Sequence, residues 1–199
     1  MVFVAGSHLA ILALLACIAL SFQGAVDRFD HLYPHYHVRP SANWVNDPNG
    51  PFYDPFHGKY HLFFQHNPNG AEWGDMSWGH AISDDLISWE ILPVILTNDQ
   101  YYDKGGVFSG SVELDMEGNP VLLYTCVDKY WNQLQCLATP VDRTDPELRE
   151  WEKSYMNPII GQPPRGVMAQ EFRDPACWKD HSISDEDEAR DRFPPILLL

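Results

Sequence analysis

The chain has 199 residues, 45% of them hydrophobic and 13% aromatic, which supplies enough apolar material for one packed core and argues against wholesale disorder. Its 28 acidic residues outnumber 13 Lys and Arg and give a formal net charge of −15, with no basic block interleaved with aromatics. Such a surface repels nucleic acid and anionic lipid, so we expect a neutral partner, and the seven Trp and nine Tyr favour a carbohydrate.

The first 25 residues contain no Asp, Glu, Lys or Arg, and residues 9–20 are apolar over the length of a signal-peptide core. This run is too short to span a bilayer. Small residues at positions 19, 21, 24 and 25 offer cleavage sites. The sequence therefore predicts a signal peptide over residues 1–25, a secreted (cell-wall) or vacuolar location, and no other contact with a membrane. A buried N-terminal helix is the alternative.

Beyond Asp27 the chain consists of short aromatic and β-branched runs separated by turns, without a sustained helical period. The predicted strands cover residues 59–65, 78–83, 89–95, 106–114, 121–127 and 134–139. The clearest turns are Asn-Pro-Asn-Gly at residues 67–70 and Glu-Gly-Asn-Pro at residues 117–120, which combine a proline with residues that tolerate positive φ. These features predict an all-β fold.

Three cysteines follow the predicted leader, at positions 126, 136 and 177, and their spacing is not typical of a metal site. We therefore expect no metal and no other cofactor. Cys126 and Cys136 lie on two short apolar runs that are expected to form neighbouring strands. Either a cross-strand disulfide or two buried free thiols fits this arrangement.

A five-residue pattern, Leu-x-x-Trp-Glu, occurs at residues 86–90 and again at residues 148–152, an offset of 62 residues. A repeat of this length is typical of a four-stranded propeller blade, although two short matches can also arise by chance. Adding one period to Asp47 leads to Ser109, and adding two leads to within three residues of Asp174. On a propeller, these three side chains would project from innermost strands into one central cavity.

Residues 44–50, Trp-Val-Asn-Asp-Pro-Asn-Gly, form the most specific motif of the chain, although the composition alone is also that of a turn. It is accompanied by further motifs at residues 60–68, 73–74, 78–80, 83–90, 108–111 and 171–175. In order and spacing this series resembles glycoside hydrolase family 32, which includes invertases, fructan hydrolases and plant fructosyltransferases. The resemblance extends over residues 31–177.

The resemblance implies a five-bladed β-propeller of which this chain carries about the first half, without the family's C-terminal β-sandwich. The expected organisation is a signal peptide at residues 1–25, the partial propeller at residues 26–178 and a divergent acidic tail at residues 179–199.

By the same resemblance, Asp47 is the nucleophile and Asp174 is the transition-state stabiliser, which neighbouring Arg173 would keep ionised and oriented. Sugar-binding and wall positions are implied for Trp44, Asn46, Gln65, Trp73, Phe108 and Ser109. Trp89 and Trp151 are expected to pack in the core, and the histidines are expected to be structural or exposed.

A retaining glycosidase also needs a general acid, which in this family is a glutamate followed by cysteine, and the sequence contains no such pair. Two functions stay open. The first is a β-fructofuranosidase acting on terminal fructosyl units of sucrose or fructans, with its activity in doubt; the second is a non-catalytic sugar-binding or regulatory fragment. An arabinan-cleaving five-bladed glycosidase fits less well, because of the motif at residues 44–50 and the Arg173-Asp174 pair.

Overall fold

The computed structural model describes residues 34, 36–115, 117–177 and 196–198. The predicted signal peptide, His31, His35 and most of the predicted tail lie outside these residues. The chain divides into two units, Met1–His37 and Val38–Leu199, and the strands of the described residues belong to the second. Among the described residues, no helix combines the length and apolar character needed to cross a membrane.

Two four-stranded antiparallel sheets, each a simple meander, make up the fold. The first contains β1 (Trp44–Asp54), β2 (Lys59–Asn67), β3 (Ser77–Ser83) and β4 (Glu90–Leu96). The second contains β5 (Gly106–Leu114), β6 (Pro120–Val127), β7 (Gln133–Pro140) and β8 (Trp151–Lys153). A short 3₁₀ helix, Ala169–Glu171, precedes β9 (Pro175–Cys177), which pairs antiparallel with β10 (Ile196–Leu198). The expectation of an all-β fold is confirmed.

All six predicted strands are present, with ends within two residues of the prediction, and residues 106–114 match to the residue. Two strands of these four-stranded sheets were not predicted. The first is β1, whose turn-forming residues are accommodated because two irregularities interrupt its pairing with β2. The second is β8, which at three residues is too short to show a pattern.

The 62-residue repeat corresponds to equivalent positions in the two sheets. Leu86 and Leu148 both adopt positive φ, 63° and 45°, just before the last strand of each sheet. In both sheets the indole N–H of the following tryptophan donates to the leucine carbonyl, at 3.2 Å for Trp89 and 2.9 Å for Trp151. The pattern Leu-x-x-Trp-Glu therefore encodes a shared turn.

The hydrophobic core lies between the two sheets. Phe63 of β2 and Trp151 of β8 meet edge to face, with ring centroids 5.7 Å apart. Trp151 is buried as expected, whereas Trp89 is only half-buried. The other core side chains are Trp78, Ile95, Leu96, Tyr102, Val107, Val112, Leu122, Tyr124, Cys126, Cys136, Ala138 and Leu148. Burial of this many large apolar groups supplies the main driving force for folding.

Cys126 and Cys136 form a disulfide between β6 and β7. Of the two alternatives that the sequence left open, the structure contains the bridge. Both residues are fully buried in the core, so the covalent link holds together the two central strands of the second sheet.

A buried ion pair joins the sheets. Arg143, from the β7–β8 connection, donates to both carboxylate oxygens of Asp54 at the end of β1, at 2.5 and 2.7 Å. His57 and the Phe56 N–H also bond to this carboxylate. Burial raises the pKa of Asp54, but these bonds outweigh burial and hold that pKa well below its ordinary value.

The histidines in the described sheets are largely structural. His61 Nδ1 and His80 Nε2 lie 2.9 Å apart in the buried centre of the first sheet. Burial lowers the pKa of His61 to about 4 and lowers the pKa of His80 as well, so both rings are neutral near pH 7. His66 is also buried, whereas His37 is exposed.

Candidate active site

Bulges at equivalent positions of β1 and β5 re-aim two of the predicted site residues. In β1, Asn46 and Asp47 together lie opposite Gln65 of β2. In β5, Ser109 is the extra residue, because Phe108 and Gly110 on either side of it pair with two consecutive residues of β6, Thr125 and Tyr124. Bulges of this kind turn a side chain out of the regular alternation of a strand and are frequent next to active sites.

The two bulges bring Asp47 and Ser109 together. The Ser109 hydroxyl donates a 2.8 Å hydrogen bond to Asp47 Oδ2, across the contact between β1 and β5. This bond fixes the orientation of the carboxylate. Asp47 remains exposed, so the group is oriented and accessible at the same time.

Asp174 reaches the same place from a turn that directly precedes β9, not from an innermost strand as the repeat predicted. Its φ of 60° is uncommon for a residue other than glycine. The Asp174 N–H donates to Thr125 Oγ1 at 2.8 Å, and that hydroxyl donates to the Ser109 carbonyl at 3.1 Å. Thr125 therefore links the backbone of Asp174 to the residue that holds Asp47.

Thr125 is fully buried and was not predicted as a site residue. Nothing in its own motif marks it, because its role depends on a partner 49 residues away. Its position in the sheet is the signal that could have identified Thr125 as a site residue. Thr125 lies opposite Phe108 on the neighbouring strand, next to the β5 bulge.

The electrostatics of Asp174 differ from the expectation that Arg173 would dominate. Arg173 Nε lies 3.6 Å from Asp174 Oδ2, and both side chains are about half exposed. Burial raises the pKa of Asp174 above its ordinary value of 3.8; the Arg173 guanidinium opposes the rise, and the negative charge of Asp47 adds to it. The net direction is upward, and burial is its main cause.

A cavity of about 220 Å³ unites these groups. Its lining residues are Asn46, Asp47, Gln65, Trp73, Met76, Phe108, Ser109, Arg173 and Asp174. Every predicted site residue except Trp44 is therefore present, and Met76 is an addition. Trp44 does not line the cavity, but its indole N–H donates to Asn46 Oδ1 at 2.7 Å and orients that amide.

One lining residue has unused hydrogen-bonding capacity. The Gln65 side chain is 2% exposed, and its Nε2 has no partner within the described residues. A buried amide N–H without a partner is costly. The lining otherwise presents two carboxylates, one guanidinium, a hydroxyl, an amide and aromatic faces, so the cavity suits a small, hydroxyl-rich ligand.

A larger cavity of about 490 Å³ lies apart from these groups, at the ends of β4 and β8. Its lysine, Lys153, is held by Asp99 and Asp103 at 2.6 Å each. These charges are paired and join β8 to the connection before β5. We therefore take the smaller cavity, which two carboxylates line, as the candidate site. Among the described residues, no group of three His, Cys, Asp or Glu side chains is arranged to hold a metal ion.

Comparisons with known proteins identify the family of the chain. The family model "Glycosyl hydrolases family 32 N-terminal domain" matches residues 37–184. Sucrose:sucrose 1-fructosyltransferase from Festuca arundinacea is 47% identical over 148 residues, which are 74% of this chain and 22% of that protein. Acid beta-fructofuranosidase 4, vacuolar, from Arabidopsis thaliana is 47% identical over 145 residues, which are 72% of this chain and 21% of that protein.

A solved structure shows the same likeness. A variant of fructan 1-exohydrolase IIa from Cichorium intybus, in complex with 1-kestose, is 45% identical with a TM-score of 0.66, over 70% of this chain and 26% of that chain. The chain thus spans between a fifth and about a quarter of the length of these relatives.

Proposed function

Since the chain belongs to glycosyl hydrolases family 32, through the N-terminal domain of that family, we propose that its cavity binds the terminal β-D-fructofuranosyl unit of sucrose or a fructan and supports retaining cleavage of the fructosyl bond. The observation that carries the proposal is that Asp47 and Asp174, 127 residues apart in sequence, line one small cavity. A carboxylate nucleophile is one of the two carboxyl groups that a retaining glycosidase requires, and the other is its acid/base.

Asp47 is the proposed nucleophile. Its carboxylate attacks the anomeric carbon of the fructosyl unit, the bond to the leaving oxygen breaks, and a covalent fructosyl ester forms on Asp47. The Ser109 hydroxyl supports this role because it fixes one carboxylate oxygen by a 2.8 Å bond and leaves the other oxygen available. Water or a second sugar would then release the fructosyl unit.

Asp174 is the proposed transition-state stabiliser. As positive charge develops on the ring, an ionised Asp174 attracts it and accepts stronger bonds from fructose hydroxyls. Asn46, Gln65 and Arg173 supply further hydrogen bonds, and Trp73 and Phe108 form the walls. The bond from Trp44 to Asn46 supports an indirect role for Trp44, which differs from the wall position implied by the resemblance.

Protonation of the leaving oxygen needs an additional acid. Among the described lining residues, Asp47 and Asp174 are the ones with carboxyl groups. The sequence contains no glutamate that is directly followed by a cysteine. This favours a second candidate function, in which the chain by itself binds fructosyl sugars without cleaving them. The two candidates share the same site and differ in turnover.

For the fold, the proposal is that the two sheets are two blades of a five-bladed propeller with β1 and β5 nearest its axis. The contact between these strands supports it, since a Cβ added at Gly50 of β1 would lie 2.6 Å from Val112 of β5.

For location, we propose entry into the secretory route by the predicted signal peptide, leading to the vacuole or the cell wall. The similarity to a vacuolar relative supports the first destination.

Purified full-length chain tests the function. Fructose release is measured with sucrose and with 1-kestose, and thermal stabilisation is measured with fructose, sucrose and, as a non-fructosyl control, maltose. Release that the Asp47→Asn variant loses supports the enzyme, whereas stabilisation by fructosyl sugars without release supports the binding fragment. If maltose stabilises the chain as well as the fructosyl sugars do, or if no sugar does, the proposal is wrong.

A further inference from the structure

An exposed aromatic cluster continues outward from the wall of the cavity. Trp73 and Phe108 line the cavity, and Trp131, from the β6–β7 turn, contacts both without lining it. The Trp131 and Trp73 rings are nearly parallel, with centroids 6.2 Å apart, and Trp131 lies 6.4 Å from Phe108. Both indoles are 50% exposed. The cluster of these three side chains thus runs from the cavity to its outer rim.

The turn that carries Trp131 is held rigidly. The Asp128 carboxylate accepts bonds from the backbone N–H groups of Tyr130 and Asn132 at 2.8 and 2.9 Å, and from the Asn132 side-chain amide at 2.9 Å. The Trp131 N–H bonds to the Asp128 carbonyl at 3.1 Å. Trp131 itself has φ 67°, a conformation uncommon for a bulky residue and maintained by these bonds.

Trp131 combines a strained backbone, a hydrogen-bonded turn and a half-exposed side chain at the rim of the site, which is a combination that is frequent at ligand sites. It contributes little to the core, because half of its surface remains in solvent. An aromatic face of this kind is a preferred surface for the apolar C–H face of a sugar ring, and a preordered aromatic side chain loses little conformational entropy on binding.

We propose that Trp131, stacked on Trp73, forms the binding platform for the sugar unit attached to the fructosyl group. That unit is the glucosyl ring of sucrose or the next ring of a fructan. This rests on the proposed function, because the platform is useful only when a fructosyl unit occupies the cavity. The cavity of about 220 Å³ accommodates one small ring, so the attached unit must lie outside it, where the cluster continues.

The charge around the turn agrees with a neutral ligand. Lys129 lies over the Tyr130 ring, 4.8 Å from its centroid. Bonds from Asn132 and Tyr130 lower the pKa of Asp128 despite its burial, so the aspartate is ionised and committed to the turn. The cluster therefore offers aromatic surface with neighbouring polar groups, as a sugar requires, instead of an extended apolar patch for a protein partner.

The test compares ligands of one, two and three sugar units, using full-length chain that carries Asp47→Asn so that substrate is not consumed. Calorimetry gives Kd for fructose, sucrose and 1-kestose. The variants are Trp131→Ala, Trp131→Phe as the conservative replacement, and Tyr155→Ala as the matched control. Tyr155 is 96% exposed and lines the other cavity.

Loss of Trp131 is expected to raise Kd for sucrose and 1-kestose roughly 3- to 10-fold while leaving Kd for fructose unchanged, given the usual strength of an aromatic contact. Trp131→Phe should retain most of the affinity and Tyr155→Ala all of it. Equal effects on all three sugars, or no effect of Trp131→Ala, overturn the inference alone. If neither the Asp47→Asn chain nor the unsubstituted chain binds fructose, the proposed function is wrong and the inference fails with it.

Discussion

Removing the Thr125 hydroxyl is predicted to weaken sugar binding and stability together. Thr125→Val keeps the shape of the side chain but removes the acceptor for the Asp174 N–H and the donor to the Ser109 carbonyl, at 2.8 and 3.1 Å. Because Thr125 is fully buried, no water replaces these bonds. The loss of two hydrogen bonds at such a site is expected to lower the free energy of unfolding by about 1–3 kcal/mol.

Thr125→Ser is the matched control, since it keeps the hydroxyl and removes only a methyl group, at a cost of about 1 kcal/mol. Urea unfolding and fructose binding are measured on both variants. A packing role alone predicts that both weaken stability and neither changes binding. We expect binding to fall markedly in Thr125→Val and to be retained in Thr125→Ser. Fructose binding by Thr125→Val equal to that of the parent would refute the proposed link between the two carboxylates.

Three further predictions concern the fold and the electrostatics of the site. Arg143→Leu leaves the Asp54 carboxylate buried without its ion-pair partner, and should lower the free energy of unfolding by about 3 kcal/mol, measured by urea denaturation. Gly110→Ala places a methyl group 2.0 Å from a β6 carbonyl oxygen, so the melting temperature should fall as the β5–β6 pairing shifts. Asp47→Asn removes the negative charge that helps to raise the pKa of Asp174, so that pKa, followed by carboxyl NMR titration, should fall toward 3.8.

Each of these has a contradicting result. Arg143→Leu with unchanged stability would mean that the ion pair joining the sheets contributes nothing net. Gly161→Ala is the control for the second prediction, because a Cβ there meets only Pro158 at 3.8 Å. Equal melting temperatures for the two glycine variants would contradict it. An unchanged Asp174 pKa after Asp47→Asn would mean that the carboxylates do not interact.

The strands that could be predicted from the sequence are those with a local run of apolar and β-branched residues between turn residues. Residues 106–114 have an apolar and β-branched run bounded by glycines and turn residues, and the strand coincides with them. The motif at residues 44–50 has the composition of a turn, and it becomes a strand because β2 pairs with it across two irregularities. Pairing with the partner strand decides whether residues 44–50 form a turn or a strand, so the local sequence does not predict which one forms.

The same distinction applies to the site. The lining residues other than Met76 sit in recognisable motifs, and the 62-residue period already linked Asp47 to Ser109. Thr125 and Trp131 act through partners that only the fold brings near, and neither carries a motif of its own. The disulfide depended on strand register, and the raised pKa of Asp174 depended on how deeply the turn before β9 buries it.

The most direct test of Asp47 as nucleophile and Asp174 as stabiliser uses β-D-fructofuranosyl fluoride, whose leaving fluoride needs no general acid. Attack by Asp47 would leave a fructosyl ester on that residue, which peptide mass spectrometry of the full-length chain locates. We expect an adduct on Asp47, none in Asp47→Asn, and much slower formation in Asp174→Asn. An adduct on another residue, or formation at an unchanged rate in Asp174→Asn, would contradict a shared role for the two aspartates.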